Sequence, residues 1–90
     1  MKSFVTNDFI ELFNKLPRSV QKQARKSYKI WLENQNHPSL QFKRIHNIEP
    51  IWSVRVGLKW RVLGLREDAS IYWFWIGSHT DYDKLIRMFK

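Results

Sequence analysis

Apolar residues recur at helical spacing over the first third of the chain and at every second position over much of the rest. Phe9, Phe13 and Leu16 fit one face of a short helix, with Thr6 or Asn7 available as its cap and Pro17 breaking it. A second helix is expected from about Ser19 to Asn34. Val20, Ala24, Tyr28, Trp31 and Leu32 share its apolar face, and Lys22, Arg25, Lys26 and Lys29 lie outside it. Residues 34–39 read as a loop, because Pro38 disfavours helix in the residue before it.

Beyond Pro38 the period becomes two. Leu40, Phe42 and Ile45 suggest a first strand. Trp52, Val54 and Val56 alternate with Ser53 and Arg55 as in a half-buried strand. Gly57-Leu58-Lys59 reads as a three-residue turn into a strand over 60–65, and residues 67–70 as a second turn. Residues 71–76, Ile-Tyr-Trp-Phe-Trp-Ile, are apolar throughout, as suits a strand covered on both faces. Tyr82, Leu85, Ile86 and Phe89 mark a last helix, with Thr80 or Asp81 as its cap and Asp81 and Asp83 near its positive end. The expected architecture is one α+β domain over 1–90. It has two N-terminal helices, about four mostly antiparallel strands and a C-terminal helix, with the helices on one face of the sheet.

Composition narrows the chemistry. The chain has no cysteine, so disulfides and thiolate metal sites are excluded. His37, His46 and His79 lack the close spacing of metal ligands, and there is no glycine-rich phosphate loop. No metal or cofactor is therefore expected. No apolar run has the length of a signal peptide or a membrane span, so a cytoplasmic protein is expected. Sixteen Lys and Arg against eight Asp and Glu give a net charge of +8 and a pI near 10.1. That balance favours a polyanionic partner: nucleic acid, an anionic membrane or an acidic protein.

Two places stand out as candidate chemistry. If Val56 pairs with Trp60 across the Gly57 turn, Arg55 faces Arg61 with Cβ atoms about 4.5–5.5 Å apart. Such a pair is unfavourable unless an anion lies between, and guanidinium forks fit phosphate oxygens. Alternatively both arginines splay into water. His79 follows the apolar strand at the start of the last helix, where it can exchange protons near neutral pH or simply bond the helix start. Tyr82, one turn later, faces the same spot or fills the core. Lys43, Arg44 and His46 form a basic segment that serves RNA or a charged sheet edge, and Lys59 adds a cation at the hairpin turn. Two registers are open at the 67–70 turn. Pairing Arg66 with Ile71 sets Arg61 opposite Ile76; pairing Leu65 with Ile71 sets it opposite Trp75.

Two stretches carry a family resemblance: Trp52-Ser53-Val54-Arg55-Val56 through Trp60-Arg61-Val62-Leu63-Gly64, and residues 73–86, from Trp73-Phe74-Trp75-Ile76-Gly77-Ser78-His79 to Leu85-Ile86. They resemble the RelE/ParE toxins of type II toxin–antitoxin systems, and Gly77-Ser78-His79 is similar to the histidine-using YafQ-like members. The resemblance implies the RelE-like fold and a cognate antitoxin laid as an acidic or amphipathic segment across the basic surface. It also implies ribosome-dependent, metal-free cleavage of messenger RNA, in which the 2′-hydroxyl attacks its own phosphate. Arg55 and Arg61 match basic positions of the family and are expected to hold the phosphate. His79 matches a position where members carry histidine or arginine and is expected to move the proton, with Lys43, His46 or Tyr82 as its partner. Two departures are visible. Ser53 stands where RelE has a further lysine, and Tyr82 comes three residues before the RelE tyrosine. The superfamily also contains ParE proteins, which poison DNA gyrase, so gyrase inhibition and a non-catalytic binding role are the alternatives.

Overall fold

The computed structural model describes residues 1–89. Thr6 caps the first helix by accepting a hydrogen bond from the Phe9 amide, and α1 runs Asn7–Asn14. Pro17 sits at the N-cap of α2, Arg18–Glu33. One 3₁₀ turn, Pro38–Leu40, leads into the sheet. The strands are β1 (Lys2–Val5), β2 (Lys43–Arg44), β3 (Ile51–Val56), β4 (Trp60–Glu67) and β5 (Ser70–Ser78), and α3 spans His79–Arg87. The fold is α+β, with sheet order β1-β5-β4-β3-β2, antiparallel except for the β1–β5 pair.

Several expectations are corrected. The sheet has five strands rather than four, because Lys2–Val5 forms a parallel edge strand facing Ser70–Trp73. Four residues with no clear alternation carry little strand signal; this strand is held by distant partners. Leu40 is buried, but in the 3₁₀ turn begun by Pro38 rather than in a strand, and the strand after it is only Lys43–Arg44. On α2 the buried residues are Val20, Ala24 and Trp31; Leu32 is 57% exposed and Tyr28 is also exposed. The cap of α3 is Ser78, which accepts from the Asp81 amide, so this helix starts earlier than Thr80 or Asp81 would allow.

The helices also divide between the two faces. On one, α1 and α2 cover Val54, Val56, Val62, Trp73 and Ile76. On the other, Tyr82, Leu85 and Ile86 of α3 pack with Ile51, Leu63, Leu65, Phe74 and Trp75. This division explains why β5 is apolar at nearly every position.

A β-bulge sets the geometry between β4 and β5. At the turn Arg66 pairs with Ile71, and the pairing continues to Gly64 with Trp73; then Leu63 pairs with Trp75, leaving Phe74 as the extra residue. Neither uniform register survives: Arg61 faces Gly77, not Ile76 or Trp75. Phe74 and Trp75 consequently belong to the same layer, under α3.

Trp73 occupies the bulge. A Cβ on Gly64 would come within 2.6 Å of the Trp73 ring and 2.9 Å of Ile71. On its helix side the ring meets Trp31 edge-on at 5.3 Å between centroids, and its indole N–H donates to Ser3 Oγ at 2.8 Å, which ties β1 to the core. Replacing Gly64 by alanine should overpack this seat and cost about 1–3 kcal/mol. A lowered urea midpoint for Gly64→Ala checks it, and an unchanged midpoint would show that the ring has room to move.

Candidate active site

The hairpin register inferred from sequence is present: Val56 pairs with Trp60, Val54 with Val62 and Arg55 with Arg61. Directly paired residues share a face, so both arginines stand on the α3 side. The next position in the row is Gly77, which adds no side chain beside Arg61. The space a Gly77 side chain would need is taken by the Trp75 indole, 2.5 Å from an ideal Cβ. The Tyr82 ring lies on the other side, its centroid 5.9 Å from the Arg61 guanidinium carbon.

The chain then turns into α3 at Ser78, and the His79 amide donates to the Lys59 carbonyl at 2.7 Å. This bond pins the start of α3 to the β3–β4 turn and sets His79 at the mouth of the arginine row. Its side chain is 49% exposed, with Nδ1 3.4 Å from Asp83 Oδ2. Gln41, Lys43, Ser53, Arg55, Arg61, His79 and Tyr82 together line a polar pocket of about 130 Å³.

The pocket is electrostatically unbalanced. Arg55 Nε donates to the Gly57 carbonyl at 3.1 Å, and Arg61 Nη1 to the Trp60 carbonyl at 2.8 Å. Among the described residues neither arginine is salt-bridged to a carboxylate; the carboxylate there, Asp83, faces His79 instead. Partial burial, and then the charge of Arg55, hold the Arg61 pKa below its ordinary value, while Tyr82 and Asp83 act the other way. Cations held together with free N–H donors are suited to an anion with several oxygens.

Four of the residues singled out from sequence, Arg55, Arg61, His79 and Tyr82, meet in this pocket with Lys43. Three others stand apart. Arg44 Nε donates to the His46 carbonyl at 3.0 Å, closing the loop after β2. His46 Nδ1 accepts from the amides of Ile48 and Glu49, and Nε2 lies 2.9 Å from the Phe89 carbonyl. Both ring nitrogens are thus engaged in the loop and its contact with the chain after α3, and His46 does not line the pocket that holds His79. Lys59 contributes its carbonyl and remains exposed at the turn.

Sequence reasoning did not assign Gln41, Ser53 or Asp83 to the site; it read Ser53 as a departure from the family and Asp83 as a helix-start residue. Ser53 shares the parity of Arg55 on β3, which was a readable signal. Asp83 sits four residues after His79, but that i, i+4 pairing exists only if the helix begins at His79. Gln41 lies in a left-handed conformation, φ 44°, at the exit of the 3₁₀ turn, and nothing in its neighbours announces it. Among the described residues no three His, Cys, Asp or Glu side chains gather as a metal site would require.

The fold and pocket define a small α+β protein with a cationic cleft on the sheet face opposite its two N-terminal helices. Residues 18–84 match the model of the ParE-like toxin domain, and the chain belongs to this family, within the RelE/ParE superfamily. Two solved structures share the fold. One is a chain of the RelB–RelE antitoxin–toxin complex from Methanococcus jannaschii, at 12% identity and TM-score 0.72, over 91% of this chain and 96% of that one. The other is a copper-bound mutant toxin from Helicobacter pylori, at 16% identity and TM-score 0.62, over 90% and 97%. No curated protein matches the chain.

An anion that bridges the arginine pair should stabilise the native state by mass action. Inorganic phosphate is therefore expected to raise the melting temperature of the wild type, and Arg61→Gln should lose most of that rise. Equal rises in both proteins would place the phosphate elsewhere.

Proposed function

We propose that the protein is the toxin of a type II toxin–antitoxin system and cleaves messenger RNA on the ribosome without a metal. One observation carries this reading: a histidine, His79, lines a pocket that also holds Lys43, Arg55 and Arg61. Attack of a 2′-hydroxyl on its neighbouring phosphate needs a base for that hydroxyl and an acid for the leaving 5′-oxygen. It also needs positive charge around the phosphorane, which carries one more negative charge than the diester. The products are a 2′,3′-cyclic phosphate and a 5′-hydroxyl.

Arg55 and Arg61 bind the non-bridging oxygens and meet the growing charge; arginine holds its proton too firmly to transfer it. His79 is the proton carrier. Asp83 stands on its Nδ1 side and leaves Nε2 for the reacting oxygen. With His46 occupied elsewhere, Lys43 and Tyr82 remain as its partners. The histidine at this position is also what carries the resemblance to YafQ-like members. A gyrase-poisoning toxin, the rival within the family, would need no proton carrier beside its cations.

A ribonuclease of this kind requires an antitoxin, and the opposite face suits one. An apolar cavity of about 280 Å³ opens between α1, α2 and the sheet, walled by Phe9, Phe13, Trp31 and Trp73, with exposed Ile10 and Tyr28 among its lining. Arg25 also lines it, and Lys22, Lys26 and Lys29 lie on the same helix. An acidic amphipathic helix would match both the apolar floor and the basic surroundings.

Mapping mRNA ends after incubation with translating ribosomes tests the reading. His79→Gln should lower the cleavage rate by roughly 10²–10⁴, the usual span for a general acid or base, while folding and antitoxin binding persist. Cleavage at the wild-type rate would reduce His79 to a helix-start residue. Gyrase inhibition with intact mRNA would favour the rival.

Protein stripped with a strong chelator before it meets the ribosomes is expected to cleave at full rate. Lost activity that zinc or manganese restores would refute the metal-free mechanism.

A further inference from the structure

Ser53 is the buried polar residue beneath the pocket. It is 3% exposed, on a strand whose other buried residues are Ile51, Val54 and Val56. Among the described residues its hydroxyl makes no hydrogen bond, yet it is not sealed in: the buried side-chain atom left without a partner is Trp31 Nε1, whereas Ser53 lines the cationic pocket. The residue is packed away while its hydroxyl opens onto the pocket with its donor uncommitted to any described protein group.

Its position is fixed on both sides. Ser53 pairs with Lys43 of β2 and with Leu63 of β4, and it stands two residues before Arg55 on the same face. The side chain therefore rises from the sheet between Lys43 and the arginine row, too short to reach past either. Three cations already exceed the single charge of a phosphodiester. A neutral donor adds a directed hydrogen bond without adding to the repulsion that Arg61 experiences from Arg55.

We propose that the Ser53 hydroxyl is a ligand of the RNA phosphate, donating to a non-bridging oxygen from the pocket floor while Arg55 and Arg61 hold that phosphate from the side. This rests on the pocket being the RNA site. Serine supplies the hydrogen bond that orients the phosphate; the arginines supply the charge.

Binding of a short single-stranded RNA with 2′-O-methyl groups, which block the attack, tests this on the full chain. Ser53→Ala should weaken binding roughly 10-fold to 100-fold, the range for a hydrogen bond to a charged group. Its slope of log affinity against log salt should stay unchanged, because no charge is lost. Its melting temperature without ligand should hold, since the hydroxyl bonds no group of the described protein that its removal would leave unpaired. Arg61→Ala, by contrast, should weaken binding and flatten the slope. If Arg61→Ala behaves so while Ser53→Ala binds as tightly as the wild type, the serine is not a ligand and the pocket reading stands. If Ser53→Ala loses affinity only in step with a lowered melting temperature, its role is structural and the proposal fails. If neither variant weakens binding, the pocket is not the RNA site and both readings fall.

Discussion

The seat of Trp73 over Gly64 is the contact on which the rest of the molecule depends. A side chain at position 64 would collide with the indole ring. With glycine there, the ring lies down at the point where β5 gains a residue on β4. That single extra residue reverses the facing of everything beyond it. Ile76 joins the layer under α1 and α2, Gly77 arrives opposite Arg61, and the chain reaches Ser78 in position to start α3 with His79 at the pocket. Without the bulge, the side chain facing Arg61 would be that of isoleucine. The same indole anchors β1 through Ser3 and meets Trp31 of α2, so the register of one strand pair is locked to the packing of the helical layer.

The pocket shows how local cost and binding capacity go together. Two arginines set side by side repel each other, one of them partly buried, and no carboxylate salt-bridges either among the described residues. What keeps them there is the surrounding framework: the rings of Trp75 and Tyr82 close by, the hairpin turn held by the Arg55–Gly57 bond, and the α3 start bonded to Lys59. Under the proposed function, an incoming phosphate would meet donors that are already positioned, so little ordering would remain to be done on binding.

Much of this was legible in the residues. Alternation in Trp52–Val56 and the Gly57 turn were enough to set Arg55 against Arg61, because a tight hairpin leaves few registers. Helix α2 and the doubly covered β5 were equally plain. What escaped has a common cause. β1, the bulge at Phe74 and the burial of Leu40 in a 3₁₀ turn are each decided by partners far away in sequence, and none changes the local pattern enough to be read. The bulge misled most, since both uniform registers set Arg61 opposite a bulky side chain. The early start of α3 at His79 likewise hid the contact with Asp83, and the buried Ser53 looked like an ordinary outward-facing polar residue of an alternating strand.

The parallel pairing of β1 with β5 also fixes an order of events during synthesis. Lys2–Val5 is made before the other strands, yet its partners Ser70–Trp73 are made only after the rest of the sheet. α1 packs chiefly on β5 as well, so the N-terminal segment and its apolar side chains must wait for the other end of the domain. Contacts of such long sequence separation form slowly, because the intervening chain must first be closed into a loop. The wait has a useful side. His79 and Tyr82 follow directly on the strand that completes the sheet, so a nascent chain still short of them has neither a finished fold nor a working pocket. Under the proposed function, harmful activity is thereby deferred to the last stage of the domain's synthesis.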